Sequence, residues 1–403
     1  MPNSFIGYAE ALELTLDNLQ ALPCKTVPLA QSLGLVAAKD LFALVDAPSC
    51  DISLKDGFAV CSTDIAQASR QRPVRLNVLD TSAAGVVRTT RVSSGNAIRI
   101  LSGAAIPKGA DAVVANEFTT DGESRVEVTA TAEPGRNILG RASDVATGEC
   151  IVHGGECLTP GRIGLLATAG HARIPVVPKP RVVIIATGNE IVPPGQPLSQ
   201  GQVYASNLMT INAWCMKRGM QTELVFAEDD APTIRGQLEL AAERADAVIT
   251  SGGAWTSRRD LMATVLRDLG WQKIFHRVRM GPGKAVGLGI LTAKPVFILP
   301  GGPPSNLIAF LAIALPGLTR MAGRRQPALP TIQAMLTQEV TGQSDWTQFL
   351  FGRLQPSGPM PGFCPEKPRS RLRNMAQAEA LLTIAEGVSR IAQGTCLEII
   401  RLD

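Results

Sequence analysis

The chain has 403 residues, of which 45% are hydrophobic, 18% charged and 4% aromatic. That length exceeds what one hydrophobic core supports, so roughly two to four domains are expected, and the composition is that of a globular chain, not a disordered one. Its 39 basic and 35 acidic residues leave a net charge of +4 with no dense basic run, which argues against a nucleic-acid partner.

Eight cysteines are scattered without a Cys-x-x-Cys, the usage expected of reduced thiols in a cytoplasmic protein. Cys150, His153 and Cys157 cluster in sequence, but no second Cys/His pair completes a metal site, and none is expected there. The opening MPNSFIGYAEALEL has neither a basic nor an apolar signal region. The longest apolar run, Leu307–Leu318, is too short to span a bilayer and is interrupted by Pro316. A soluble protein with no membrane partner is the expectation.

Residues 5–20 place apolar side chains at near-helical spacing and predict an opening helix, with more helix over 26–45. From 51 to 143, short runs such as Val74–Val78, Ala97–Leu101, Ala112–Ala115 and Val126–Thr131 predict a β-rich module. Residues 145–178 return to the texture of the N-terminal segment, with a helix at Arg162–Ala169. The β module therefore reads as an insertion (51–143) into a discontinuous first domain (1–50 and 144–178), bounded by Pro175, Pro178 and Pro180.

From 179 to 327 the pattern is α/β. Arg181–Ala186 is a continuous β-branched run, as in a strand buried on both faces. Next come a helix over 206–218 capped by Ser206 or Asn207, a strand at Leu224–Phe226, a helix over 232–244 and a strand at Asp246–Thr250. A helix over 260–269, a strand through 273–279 and strands near 285–290 and 295–299 complete a mostly parallel sheet. After 328 the runs Ile332–Val340, Thr347–Leu354, Leu381–Ile384 and Cys396–Leu402 predict a small C-terminal β domain. The fold class is thus multidomain α/β.

Ligands of open α/β sheets bind beyond the carboxyl ends of the strands. Those ends carry Thr187-Gly188-Asn189-Glu190, Asp229-Asp230, Ser251-Gly252-Gly253, Gly281-Pro282-Gly283-Lys284 and Pro300-Gly301-Gly302-Pro303-Pro304-Ser305. Glycine lets backbone N–H groups approach an anion, and Lys284 adds a point charge. Neither the P-loop nor the Gly-x-Gly-x-x-Gly signature occurs. Asp56, Asp144, Glu190, Asp229 or Asp230, and Asp260 form a second, acidic set, suited to Mg²⁺ beside phosphates. The competing reading of an Asp beside Gly is an Asx-turn or a helix cap.

Together these turns resemble the MoeA-type molybdopterin molybdenumtransferases, related to the gephyrin E domain. The resemblance rests on Lys55-Asp56-Gly57-Phe58-Ala59-Val60, on Arg99–Ala104 with Pro107–Val114, and on Gly135-Arg136-Asn137-Ile138. It continues in Thr187–Ile191, Ser251-Gly252-Gly253, Pro282-Gly283-Lys284 and Leu299-Pro300-Gly301, in the family's order along almost the whole chain.

The resemblance implies an elongated homodimer of four-domain subunits, with a three-layer α/β molybdopterin-binding domain. It implies the last step of molybdenum cofactor synthesis, in which molybdate enters adenylylated molybdopterin, a divalent cation assists hydrolysis and AMP leaves. The active site would lie between the α/β domain of one subunit and the β-rich module of the other. The molybdopterin adenylyltransferase and cofactor-receiving enzymes are the implied protein partners.

By position, Asp56, Asp144, Glu190 and Asp260 match the family's catalytic acids, and Glu190, Asp229, Asp230 and Asp260 would hold the metal. Thr187, Gly188, Ser251, Gly252, Gly253, Arg258, Pro282, Gly283, Lys284, Pro300, Gly301, Pro303 and Ser305 would bind substrate.

The departures are local. The loop before Asp260 holds Trp255, Arg258 and Arg259 in place of the family's Gly-Gly-Val-Ser-x-Gly run. Family lysines stand as Gly281 and Arg277, Leu-Pro-Gly-Asn-Pro is Leu299-Pro300-Gly301-Gly302-Pro303, and Thr-Gly-Asp-Glu has Asn189. An arginine preceding Asp144 stands as Leu139, with Arg141 retained. Arg258 and Arg259 replace lost lysine charge or mark an altered ligand choice, so a non-catalytic cofactor-binding paralogue and a tungstate-preferring enzyme are the alternatives.

Overall fold

The structure, a computed structural model, describes residues 5–86, 89–122, 124–252, 261–366 and 371–402. Strands Lys25–Pro28 and Val36–Ala37 flank Arg173–Val177, all antiparallel, and Leu41–Phe42 pairs with Cys150–Val152. Val27, Leu29, Leu41, Val152, Leu158, Leu166 and Ile174 share one core. Its helix, Pro160–Thr168, begins with proline after Thr159, whose hydroxyl accepts from Arg162 N, a start that satisfies otherwise unpaired donors. The helix expected over 26–45 is absent: those residues form the short strands just described and a single 3₁₀ turn, Leu29–Gln31. Each strand is completed by a partner from 150–177, and tertiary pairing of this kind overrides local periodicity.

Between these halves lies a six-stranded sheet in the order Thr119–Asp121, Arg125–Val128, Val74–Ser82, Asn96–Ile100, Gly57–Val60, Ala112–Ala115. One face buries Phe58, Val60, Ile65, Leu76, Val114, Val126 and Val128.

The α/β region is a six-stranded sheet in the order Gln221–Ala227, Arg181–Thr187, Ala247–Ser251, Lys294–Leu299, Gly287–Leu291, Gln272–His276. The first four strands are parallel and the last two antiparallel. Val182, Ile184 and Ala186 face one core with helix Ser206–Lys217 and the helical run Pro303–Met321. Val183 and Ile185 face the other, beneath helices Ala231–Arg244 and Leu261–Asp268. Alternate residues of one strand thus serve two cores, which explains its unbroken apolar composition. The opening helix, Tyr8–Asn18, also docks here, burying Ala11 in the first of these cores, with Leu19 just beyond it.

Two expectations are corrected in this region. The strand expected through 273–279 breaks at Arg277, whose φ is +76°. Gln272–His276 stays in the α/β sheet, whereas Val278–Gly281 runs parallel to Ile6–Gly7 and Thr347–Gln355 in a seven-stranded C-terminal sheet. Neither Ser206 nor Asn207 caps its helix: Ala205 occupies the cap position, and the Asn207 amide bonds across the sheet edge instead. Ala334, Leu336, Phe363, Leu382, Ile384 and Ile399 form the C-terminal β core.

Candidate functional site

Arg181–Thr187 lies between two parallel neighbours: the chain leaves it for Gln221–Ala227 through helix Ser206–Lys217 on one face, then crosses back to Ala247–Ser251 through helix Ala231–Arg244 on the other, the switch point at which α/β sheets open a crevice. A cavity of about 570 Å³ lies there, lined by Thr187, Glu190, Asn207, Ser251, Gly252, Gly301 and Pro303, with Tyr204 and Leu372 on its apolar side. Three glycine-rich turns are therefore brought to one cavity.

Two asparagine amides hold those turns together. Asn306, 1% exposed, donates to Ser251 Oγ at 3.0 Å and to Pro300 O at 2.9 Å. Asn207 donates to Gly301 O at 2.7 Å. Gly252 has φ +108°, and a β-carbon on it would stand 2.8 Å from Thr187 O, so only glycine lets these two loops approach. The carboxylate of Glu190 folds back against Gly188. Asn189 Oδ1 accepts from Asp229 N at 3.1 Å, tying the Glu190 loop to the Asp229 loop.

The remaining residues fall into separate places. Asp230 is the N-cap of helix Ala231–Arg244. Its carboxylate accepts from Thr233 N at 2.9 Å, and that bond, with the Thr233 hydroxyl, lowers its pKa. The helix-cap reading of an acidic loop residue thus applies to Asp230. Gly283 packs against the backbone of the Pro303–Ala309 helix at Ser305 O and Ala309 N, which sets the Pro282-Gly283-Lys284 turn beside that helix with Lys284 exposed.

Asp56 lines a different cleft, of about 380 Å³, with Lys55, Ser102 and Asn116, and its Oδ1 accepts from Ser102 N at 2.6 Å. Asp144 is exposed, its N–H donating to Ala47 O at 3.0 Å. Neither lines the 570 Å³ cavity. An open cleft of about 610 Å³ in the β-rich module, between Lys55, Phe118, Glu133 and Arg136, holds none of the glycine-rich turns of the α/β sheet. Gly253, Arg258 and Asp260 lie outside the described residues.

Asn207 and Asn306 are the positions that sequence reasoning missed as site elements. Asn306 left one signal: a lone amide heading an apolar run that becomes a buried helix.

Residues 6–170 match the profile of the MoeA N-terminal region (domain I and II), and residues 183–320 that of a "Probable molybdopterin binding domain". A Mycobacterium tuberculosis protein named molybdopterin molybdenumtransferase 2 is 35% identical over 382 residues, covering 93% of this chain and 94% of the relative. The chain belongs to the MoeA family. A Staphylococcus aureus molybdopterin molybdenumtransferase is 31% identical over 346 residues, 86% of this chain and 83% of the relative. Among solved structures, the molybdopterin biosynthesis MoeA protein of Pyrococcus horikosii superposes with a TM-score of 0.84 at 30% identity, covering 99% of this chain and 100% of the other. Within this MoeA fold the cavity sits wholly in the segment that matches the molybdopterin-binding profile, apart from Leu372, which reaches it from the C-terminal region.

Proposed function

We propose that this MoeA-family chain is a molybdopterin molybdenumtransferase: it inserts molybdate into adenylylated molybdopterin, whose phosphoanhydride is hydrolysed with release of AMP. The observation that carries the reading is the switch-point cavity walled by three glycine-rich turns, in a chain 35% identical along most of its length to a relative of that name.

Thr187, Gly188, Ser251 and Gly252 present backbone at one wall of the cavity, and Pro300, Gly301, Pro303 and Ser305 form the other. The Asn306 and Asn207 amides keep the two walls in register before substrate arrives, so orientation costs little on binding. Pro282-Gly283-Lys284, beside the same helix, brings a point charge to an oxyanion. Gly253, Arg258 and Asp260 extend the site in this reading. Glu190 and Asp229 offer the hard oxygen donors that Mg²⁺ takes one or two at a time. When bound, that ion neutralises charge on the phosphoanhydride.

Asp56 and Asp144, which lie apart from this cavity in their own chain, serve the cavity of a second copy, so the working unit is a homodimer. The chain divides for this purpose into 1–50 with 144–178, 51–143, 179–327 and 328–403, and the enzyme works in the cytoplasm.

The test is AMP release from adenylylated molybdopterin with Mg²⁺ and molybdate. The expected result is turnover that Asp56→Asn and Glu190→Gln abolish separately and that mixing the two variants partly restores, because a mixed dimer keeps one intact site. A wild-type protein that binds the pterin but releases no AMP overturns the reading.

A further inference from the structure

Among the described residues, one group of side chains outside the cavity gathers three metal-ligand types. The donor atoms of Asp40, Cys150 and His153 all lie within 4.8 Å of one another. Cys150 Sγ is 3.5 Å from His153 Nδ1, and the same nitrogen is 3.7 Å from Asp40 Oδ1. A tetrahedral Zn²⁺ with bonds of about 2.3 Å to sulfur and about 2.0–2.1 Å to nitrogen and oxygen separates its ligand atoms by roughly 3.3–3.6 Å. The two distances to His153 Nδ1 are already close to that, and the Cys150–Asp40 separation is within 4.8 Å.

A nucleophilic triad is the obvious competing account, since Cys, His and Asp are its components. It requires the thiol and the carboxylate to address opposite ring nitrogens, so that one proton is taken while the other is held. Here both approach Nδ1. Convergence on a single point is ligand geometry and not relay geometry.

The group is also held by backbone. Cys150 lies opposite Phe42 in the antiparallel pair, and Gly154 N donates to Asp40 Oδ1 at 2.8 Å, a contact of the kind that orients a ligating carboxylate. Gly154 packs so closely that a β-carbon would stand 2.9 Å from Lys39 Cα. The neighbouring acids are engaged elsewhere: Glu149 accepts from Ala146 N, and Glu156 pairs with Arg162. Cys157, the sequence neighbour that first suggested a site, instead accepts from Arg324 Nη2 at 3.5 Å. The completing donor is Asp40, which sequence spacing does not bring near.

We propose that Asp40, Cys150 and His153 bind one Zn²⁺ ion, with the fourth position open to water or an exogenous ligand. One thiolate, one imidazole and one carboxylate form a borderline donor set that suits Zn²⁺ and not Mg²⁺. The side chains of His153 and Asp40 are 60% and 48% exposed, which leaves room for the fourth ligand. The ion ties the strand and turn of residues 150–156 to residues 39–41, and the site is independent of the pterin cavity.

The experiment is a Co²⁺ titration of the full chain after treatment with a chelator, followed by absorption spectroscopy. One equivalent is expected to give a thiolate-to-cobalt charge-transfer band in the near ultraviolet with intense tetrahedral d–d bands, all displaced by Zn²⁺. Cys150→Ser loses the charge-transfer band, Asp40→Asn and His153→Gln weaken binding by about tenfold or more, and Cys157→Ser keeps the wild-type spectrum. Circular dichroism confirms that each variant is folded. Absence of the band in the wild type, or its persistence in Cys150→Ser, overturns the proposal.

Discussion

Replacing Asn306 by alanine removes the amide that bonds both Ser251 Oγ and Pro300 O. Pro300 is buried, so among the described residues its carbonyl is left without a side-chain donor, at a cost of about 1–3 kcal/mol. Ser251 Oγ keeps a longer contact to Asn207 at 3.5 Å, which holds its loss to roughly 0.5–1 kcal/mol. The sum is about 1.5–4 kcal/mol, borne by the turns around the cavity. The chain has several separate cores, so a single melting temperature does not report this loss. Hydrogen exchange at the Gly252 amide does, because that N–H donates to Leu299 O at 3.2 Å inside the affected region. Exchange is expected to accelerate roughly 10- to 700-fold, at 1.4 kcal/mol per tenfold. Asn207→Ala is the control: its acceptor, Gly301 O, belongs to an exposed residue that water can serve, so the change stays below about 1 kcal/mol. Exchange in Asn306→Ala within threefold of wild type, or equal acceleration in both variants, refutes the reasoning.

Gly252→Ala forces a β-carbon to within 2.8 Å of Thr187 O at φ +108°. We expect a folded protein with about 1–3 kcal/mol of local strain and weaker molybdopterin binding, read by fluorescence titration; unchanged affinity would remove Gly252 from the site. The Thr147 N–H, the Thr147 hydroxyl and then Arg141 hold the Asp46 pKa down from 3.8 to about 2. A carboxylate with a depressed folded-state pKa contributes stability above its ordinary value and loses it as pH falls through the folded value. Protection of the Thr147 amide should therefore decline between pH 3.8 and about 2 in the wild type and stay flat in Asp46→Asn. Burial pushes the Cys215 thiol up to about 12, so iodoacetamide at about pH 8 should label Cys24, Cys50 and Cys396, which are exposed, and spare Cys215. Mass spectrometry reads the outcome, and labelling of Cys215 at the rate of the exposed thiols counts against it.

What sequence made legible follows from burial. Val182 to Ala186 are all buried between two helical layers, and only an uninterrupted apolar run suits that position. The glycine turns were legible for the same reason, since they fall where such runs stop. Residues 25–42 were misread because their strands have two to four residues and take their identity from partners more than a hundred positions away. The bond from Asn306 to Ser251 and the approach of Asp40 to Cys150 have no periodic trace, being products of chain crossing. The cap at Asp230 and the neighbouring Asp229 look alike in sequence, and only the Thr233 hydrogen bond separates them.

The break at Arg277 has a mechanical consequence. One continuous segment supplies an edge strand to the α/β sheet and then, past that residue, an internal strand to the C-terminal sheet, before turning directly into Pro282-Gly283-Lys284. The lysine-bearing turn is therefore hung from the C-terminal sheet, while Thr187 and Ser251 of the cavity wall are anchored in the α/β sheet. A rotation of one sheet against the other must be absorbed at the left-handed joint of Arg277 or carried into that turn. Because Gly283 packs against the Pro303–Ala309 helix, whose Pro303 lines the cavity, the seating of the C-terminal sheet bears on that helix from outside the cavity.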